Sequence, residues 1–140
     1  MKTLLKISDA AAIAIHACVL LGENPGKPVP APEIAKTFRV SSAHAAKVLQ
    51  RLEKAGVIKA VRGPAGGFLL RGDPRKIRLR RVLEAIEGPL EPADCLLGRT
   101  RCLRSCCMLG NFLAGTRREF AKMLWLTLHE ASLKSYGKSN

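Results

Sequence analysis

Residues 33–70, EIAKTFRVSSAHAAKVLQRLEKAGVIKAVRGPAGGFLL, restrict the possible fold more tightly than any other stretch of the chain. Glu33 to Phe38 fits a short helix, and Arg39 and Val40 make a tight turn. Ser41 or Ser42 then supplies an N-cap hydroxyl for a second helix, accepting from a backbone N–H that the first helical turn leaves free. Ala45, Val48, Leu49 and Leu52 fall at i, i+3, i+4 and i+7, which makes one apolar stripe. Lys47, Gln50 and Lys54 point the other way, with Arg51 alongside. Gly56 supplies the left-handed residue that ends such a helix. Two short strands are expected at Val57–Val61 and Phe68–Leu70, around the tip Arg62-Gly-Pro-Ala-Gly-Gly. Helix, turn, basic helix and β-hairpin together describe a winged helix-turn-helix.

The charge balance agrees. Lys and Arg number 24 against 11 Asp and Glu, a formal net charge of +13, which is the electrostatic footprint of a polyanion binder. Charge alone leaves DNA, RNA and anionic lipid open, and the helix-turn-helix selects double-stranded DNA. A chain of 140 residues that is 47% apolar forms one globular domain, or a domain with an arm. No run of 18 apolar residues is present to span a membrane. The opening MKTLLKISDAAAIAIHACVLLG has the look of a secretion leader, but Lys6 and Asp9 interrupt it. It reads as a structural helix, and the protein as cytoplasmic.

In chain order, residues 3–21 are expected to form the first helix, burying Leu4, Ile7, Ala11, Ala14, Ile15, Cys18 and Leu21. Cys18 on that stripe reads as a small core residue. Asp9 and His16 share another face, with Asp9 placed to favour the helix dipole. Residues 22–32, rich in proline and glycine, read as an exposed loop. A short amphipathic helix follows at Arg78–Ile86, with Leu79, Val82, Leu83 and Ile86 buried. From Leu109 to about Leu133 one long helix is expected, wider in its apolar face than a small domain can cover alone. A second copy of that helix, in a two-fold homodimer, is the simplest partner.

Within the DNA-binding unit, Ser42, Ala43, His44, Ala46 and Lys47 open the recognition helix and are best placed for base edges in the major groove. Lys47 can donate to guanine, and His44 to a base or a phosphate. Arg51 and Lys54 lie further along and fit phosphates. In the wing, Gly63 lets the backbone approach another molecule, and Arg62 suits a narrow minor groove with its concentrated negative potential. Arg71, Arg75, Lys76, Arg78, Arg80 and Arg81 continue the basic run, facing solvent or phosphate.

Five cysteines are present, and four lie between Cys95 and Cys107 in CLLGRTRCLRSCC. Thiolates so close can converge on one centre, and soft sulfur ligands suit an iron–sulfur cluster ([2Fe–2S] or [4Fe–4S]), zinc or Cu(I). Arg99, Arg101 and Arg104 would stabilise thiolates and an anionic cluster. The lack of paired CxxC motifs argues against structural zinc. Metal-free redox thiols are the remaining reading.

The phrase LQRLEKAGVIKAVRGPAGGFLL closely resembles the wing segment of the IscR/NsrR/CymR-type bacterial transcription regulators, small winged-helix dimers of which many hold an iron–sulfur cluster. The resemblance spans nearly the whole chain. It implies three cysteine ligands about five residues apart just before the long helix. Cys95, Cys102 and Cys107 fit best on counting back from the helix, with Cys106 as the alternative to Cys107. The gaps here differ from the family pattern and the last cysteine is doubled. SDAAA also resembles the segment from which some nitric-oxide-sensing members contribute an Asp ligand, which makes Asp9 a candidate.

The expectation is a mainly α protein: a winged helix-turn-helix domain (1–90), a cysteine-rich cluster loop (91–108) and a dimerisation helix with tail (109–140). Its function would be regulation of transcription at a palindromic operator, tuned by the cluster. Nothing in the sequence supplies a Gly-rich cofactor loop or a nucleophile–base pair, so an enzyme is not expected. Control by zinc, by redox thiols or by a bound partner enzyme are the alternatives.

Overall fold

The computed structural model describes residues 7–90, Cys107 and residues 109–136. They form, in order, α1 (Asp9–Glu23), α2 (Ala31–Phe38), α3 (Ser42–Lys54), β1 (Ile58–Val61), β2 (Gly67–Leu70), α4 (Leu79–Glu87), α5 (Gly110–Trp125) and α6 (Leu128–Tyr136). This is the mainly α winged helix-turn-helix expected, with β1 and β2 as an antiparallel wing in the register Ile58↔Leu70 to Val61↔Gly67. Among the described residues no helix is long and apolar enough to cross a membrane.

The first helix begins later than its periodicity suggests. Ser8 caps it, accepting from the Ala11 N–H at 3.1 Å, so Asp9 is the first helical residue and its carboxylate meets the positive end of the helix. Ser8 also donates to Glu87, which fastens this end of α1 to the end of α4. The helix runs past Gly22, and Asn24 closes it by donating to the Leu20 carbonyl at 2.8 Å. Ala11, Ala14, Cys18 and Leu21 are buried as expected, joined by Ile13 and Ala17, whereas Ile15 and Ile7, the latter ahead of the helix, are half-buried and Leu4 lies outside the described residues. Small residues let α3, α4 and α6 all approach this one helix.

α2 starts at Ala31 rather than Glu33. Pro32 is tolerated there because the first helical turn has no acceptor for its missing N–H. Both helices of the helix-turn-helix then end in the same way. In α3, Gly56 at φ 74° lets Val57 donate to Leu52 and Gly56 to Glu53. In α2 the same pair of bonds runs from Val40 to Ala35 and from Arg39 to Lys36, but the left-handed residue is Arg39, at φ 53°. A side chain in that conformation costs about 1 kcal/mol.

The stripe of α3 is fully realised. Ala45, Val48, Leu49 and Leu52 are at most 1% exposed. Burial of each large member contributes about 1.5–3 kcal/mol of transfer free energy. The wing is braced by the proline-rich loop, from which Val29 exchanges two backbone hydrogen bonds with Phe68 (2.9 and 3.0 Å). Gly67 makes this possible, since a Cβ there would stand 2.5 Å from the Val29 backbone.

The single long helix expected over Leu109–Leu133 is not formed. The chain breaks after Trp125, Leu126 is extended, and α6 restarts at Leu128. Thr127 and Glu130 cause the restart: the Glu130 carboxylate accepts from the Thr127 N–H at 2.8 Å, and the Glu130 N–H donates to the Thr127 hydroxyl at 3.2 Å. These bonds from Thr127 hold the Glu130 carboxyl below its ordinary pKa. The extended residues meanwhile pair with the segment before α4, Leu79 donating to Leu126 and Leu128 to Ile77, both at 2.9 Å. Arg78 locks this joint by donating to the Trp125 carbonyl at 2.7 Å with its guanidinium 4.6 Å from the Trp125 ring centre.

The break redistributes the apolar face. Leu124 and Leu128 join the chain's own core, at 8% and 1% exposure, and Phe120 and Met123 pack against it. Phe112, Leu109, Trp125 and Leu133 stay exposed.

Candidate nucleic-acid interface

Burial of the α3 stripe decides what the recognition helix presents. Ser41, not Ser42, is the N-cap, accepting from the His44 N–H at 3.1 Å. Ser42, Ala43, Lys47, Gln50, Arg51 and Lys54 are exposed, while His44 and Ala46 are half-buried. His44 lines a cleft of about 330 Å³ with Asp9, His16, Phe38 and Val40. The His16 ring meets Phe38 edge-on and its Nδ1 lies 2.7 Å from the Ala12 carbonyl. His44 thus sits between the outer face of α3 and α1, whereas Ser42 and Lys47 stand clear.

The wing places Arg62 and Gly63 at its exposed tip, just after the last residue of β1. Lys59, which sequence reading passed over, is exposed on β1, and strand alternation from the buried Ile58 was the signal for it. Gln50, outward-facing by the helical period, is exposed on the same face, and its amide could bond an adenine edge in two places.

The arginines divide into two groups. Arg51 donates to the Ile86 carbonyl, Arg78 to Trp125, Arg80 to Glu84 at 2.9 Å and Arg81 to the Gly56 carbonyl at 3.4 Å. The basic run after the wing is therefore partly structural: three of its arginines fasten α4 and the α5–α6 joint. By contrast Lys47, Lys54, Lys59, Arg62, Arg71 and Lys76 have no side-chain hydrogen bond or ion pair among the described residues, so they present uncompensated charge.

Of the candidate metal ligands, Cys95, Cys102 and Cys106 lie outside the described residues. Cys107 is exposed, and its carbonyl accepts from the Gly110 N–H at 3.0 Å, which ties it to the foot of α5. Asp9 is exposed on the first turn of α1. Among the described residues no three ligating side chains are gathered at one point. Cys18 is 0% exposed, and burial pushes its thiol up to about 12, so it stays protonated and is a core residue as expected. Among the described residues Cys107 is exposed and Asp9 makes no ion pair, so both could be reached by a thiolate-held group, whereas Cys18 is shut inside the core.

Comparison with known proteins is consistent with this geometry. A family model described as Rrf2, iron-dependent transcriptional regulator, matches residues 7–130. The putative regulator BadM of Rhodopseudomonas palustris is 32% identical over 83 residues, 59% of this chain and 53% of that protein. A putative regulator of Aquifex aeolicus is 35% identical over 95 residues, 68% of this chain and 66% of that protein. The chain thus spans between half and two thirds of the length of these two relatives. It is also 29% identical over 117 residues to the repressor NsrR of Streptomyces coelicolor, covering 84% of this chain and 78% of that one. In fold it is similar to the solved structure of CymR, the global cysteine regulator of B. subtilis, with a TM-score of 0.76 at 23% identity over 94% of this chain and 98% of that one. The winged helix-turn-helix, its unpaired cations and the match over residues 7–130 agree: the chain belongs to the Rrf2 family of DNA-binding transcriptional regulators, which are not enzymes.

Proposed function

We propose that this regulator acts in the cytoplasm as a homodimer on a palindromic operator, and that an iron–sulfur cluster, [2Fe–2S] or [4Fe–4S], tunes its DNA affinity. Cys95, Cys102 and Cys107 would hold the cluster, with Cys106 the alternative to Cys107 and Asp9 the candidate remaining ligand. When bound, such a group supplies metal–thiolate bonds that redox change, nitric oxide or iron and sulfur supply can break. The observation that carries the reading is the mechanical path out of the cysteine segment. Cys107 is bonded to the first residue of α5, and the far end of α5 is stapled through Arg78 and Leu79 to the segment that follows the wing. Sixteen helical residues make a rod of about 24 Å. A displacement of Cys107 is thereby passed to the base of α4 and to the DNA-binding body.

The domain organisation follows this path: residues 1–90 bind DNA, 91–108 sense, and 109–140 pair the subunits. In the bound complex Ser42 and Lys47 face base edges with His44 beside them, Arg62 and Gly63 take the wing into the minor groove, and Arg51 and Lys54 meet phosphates. Arg51 already holds the Ile86 carbonyl, so it also couples α3 to α4. Half-sites about 34–36 Å apart, or a multiple of that spacing, match two recognition helices related by a two-fold axis.

A second reading rests on the exposure of Cys107 beside Cys106: thiol oxidation without metal. CymR, to which the chain is 28% identical over 93 residues, has a Staphylococcus aureus homologue solved in an oxidised form. Zinc is the third possibility. Purification without air separates them. The cluster reading predicts a brown protein with iron and acid-labile sulfide, colour lost in Cys95→Ala, Cys102→Ala and Cys107→Ala but kept in Cys18→Ala. A colourless protein carrying one zinc per chain, or no metal, would contradict it.

For the dimer, Leu124 is a poor probe because it belongs to the chain's own core, and an Asp there should unfold the protein. Phe112, 65% exposed on α5, is the better one. Phe112→Asp is expected to halve the mass seen by light scattering without loss of helical signal; an unchanged mass would remove α5 from the interface.

Base readers and phosphate contacts should separate experimentally. Lys47→Ala and Arg62→Ala are expected to relax specificity at one operator position by about 1–3 kcal/mol, while Lys54→Ala should weaken all duplexes alike and lower the salt slope by about 1. Equal losses for specific and random DNA in Arg62→Ala would exclude its minor-groove role.

A further inference from the structure

We propose that Arg39, in the turn between α2 and α3, is a DNA-phosphate contact, and that the chain tolerates its unfavourable backbone conformation for that reason. The inference rests on the DNA-binding reading of the helix-turn-helix. The two helices of that unit end with the same backbone hydrogen bonds, so they form an internal comparison. After α3 the left-handed position is Gly56, which adopts φ 74° without a side-chain penalty. After α2 it is Arg39 at φ 53°, the one non-glycine residue with positive φ among the described residues.

Among the described residues nothing accounts for an arginine at this point. The bonds that close the helix use only its backbone: the Arg39 N–H donates to Lys36 at 3.2 Å and the Val40 N–H to Ala35 at 3.0 Å, and glycine would supply the same amide. The Arg39 side chain is exposed, and among the described residues it makes no hydrogen bond, ion pair or ring contact. In this it differs from Arg51, Arg78, Arg80 and Arg81, each of which is held by a partner in the fold. A strained residue with no internal role points to a role outside the molecule.

Its position suggests the partner. Arg39 stands two residues before the Ser41 cap and three before Ser42, with exposed Lys36 one turn back on α2. This is the end of the recognition helix that approaches the major groove, and the turn leading into it passes the sugar-phosphate backbone at the groove edge. A guanidinium with all its donors free matches a phosphate in two-point geometry, where a lysine would act as a point charge only. The contact would be sequence-independent, positioning the helix rather than reading bases.

Three substitutions test this, each measured for thermal melting and for binding of the anaerobically purified full chain to a random-sequence duplex across a salt series. Arg39→Gly removes both the charge and the strain, Arg39→Gln removes the charge and keeps the strain, and Arg39→Lys keeps both. The proposal predicts that Arg39→Gly melts no lower than the parent protein yet binds more weakly. In both the Gly and Gln proteins the slope of log K against log salt falls by about 1 for each protomer bound, and the Lys protein keeps most of that slope. Should the Gly protein melt lower, the Gln protein alone decides the matter through its slope. Slopes unchanged in Gly and Gln would overturn the phosphate contact while leaving DNA binding intact. A parent protein with no salt-dependent binding would instead overturn the DNA-binding reading itself, and this proposal with it.

Discussion

The structure depends first on one stripe. Ala45, Val48, Leu49 and Leu52 leave α3 no freedom about its own axis, because rotating the helix would expose three large apolar side chains at a cost of several kcal/mol. The helical period then determines what faces outward: Ser42, Ala43, Lys47, Gln50 and Lys54 are exposed because the others are buried. The Ser41 cap and the Gly56 turn set where that face begins and ends. In the proposed function this is the face that meets the DNA, and its backbone is already ordered by the buried stripe behind it.

The second organising feature is the joint where Ile77–Leu79 pairs with Leu126–Leu128. It ends α5, starts α6, and places the beginning of α4 directly against both. Arg78 holds it by a hydrogen bond and by the face of Trp125. Backbone hydrogen bonds across the joint fasten the end of α5 to the start of α4. In the proposed function this is the route by which the state of the cysteine segment reaches the DNA.

Much of this could be read from residue order because it is local. The α3 stripe, the glycine turn after it, the wing strands and the buried face of α4 each follow from a short periodic pattern, and the structure moves their limits by at most two residues. The structure departs from the sequence expectation where a local signal lies inside a longer apolar period and where distant residues decide. The single helix over Leu109–Leu133 satisfied its apolar period, but Thr127 and Glu130 carried a capping-box signal inside it that periodicity alone overrides. Leu124 belongs to the apolar face expected to pair two subunits, yet it joins the chain's own core, because its partners there are distant in sequence. The arginines after the wing look equivalent in sequence, and only the fold separates Arg78, Arg80 and Arg81, which have internal partners, from Arg71, which has none among the described residues. Of the candidate cluster ligands, Cys107 and Asp9 are placed, and the chemistry of the remainder rests on their sequence alone.

In the proposed function the cysteine segment and the DNA-binding face are coupled through the joint at Arg78. The most direct test measures affinity for an operator selected from a random pool, with protein purified without air and with the same protein after its cluster is removed, in the parent chain and in Arg78→Ala. The two states of the parent are expected to differ by about tenfold or more, a coupling of about 1–3 kcal/mol, and the difference is expected to shrink severalfold in Arg78→Ala while one state still binds. Equal affinities in the two parent states, or an undiminished difference in Arg78→Ala, would contradict it.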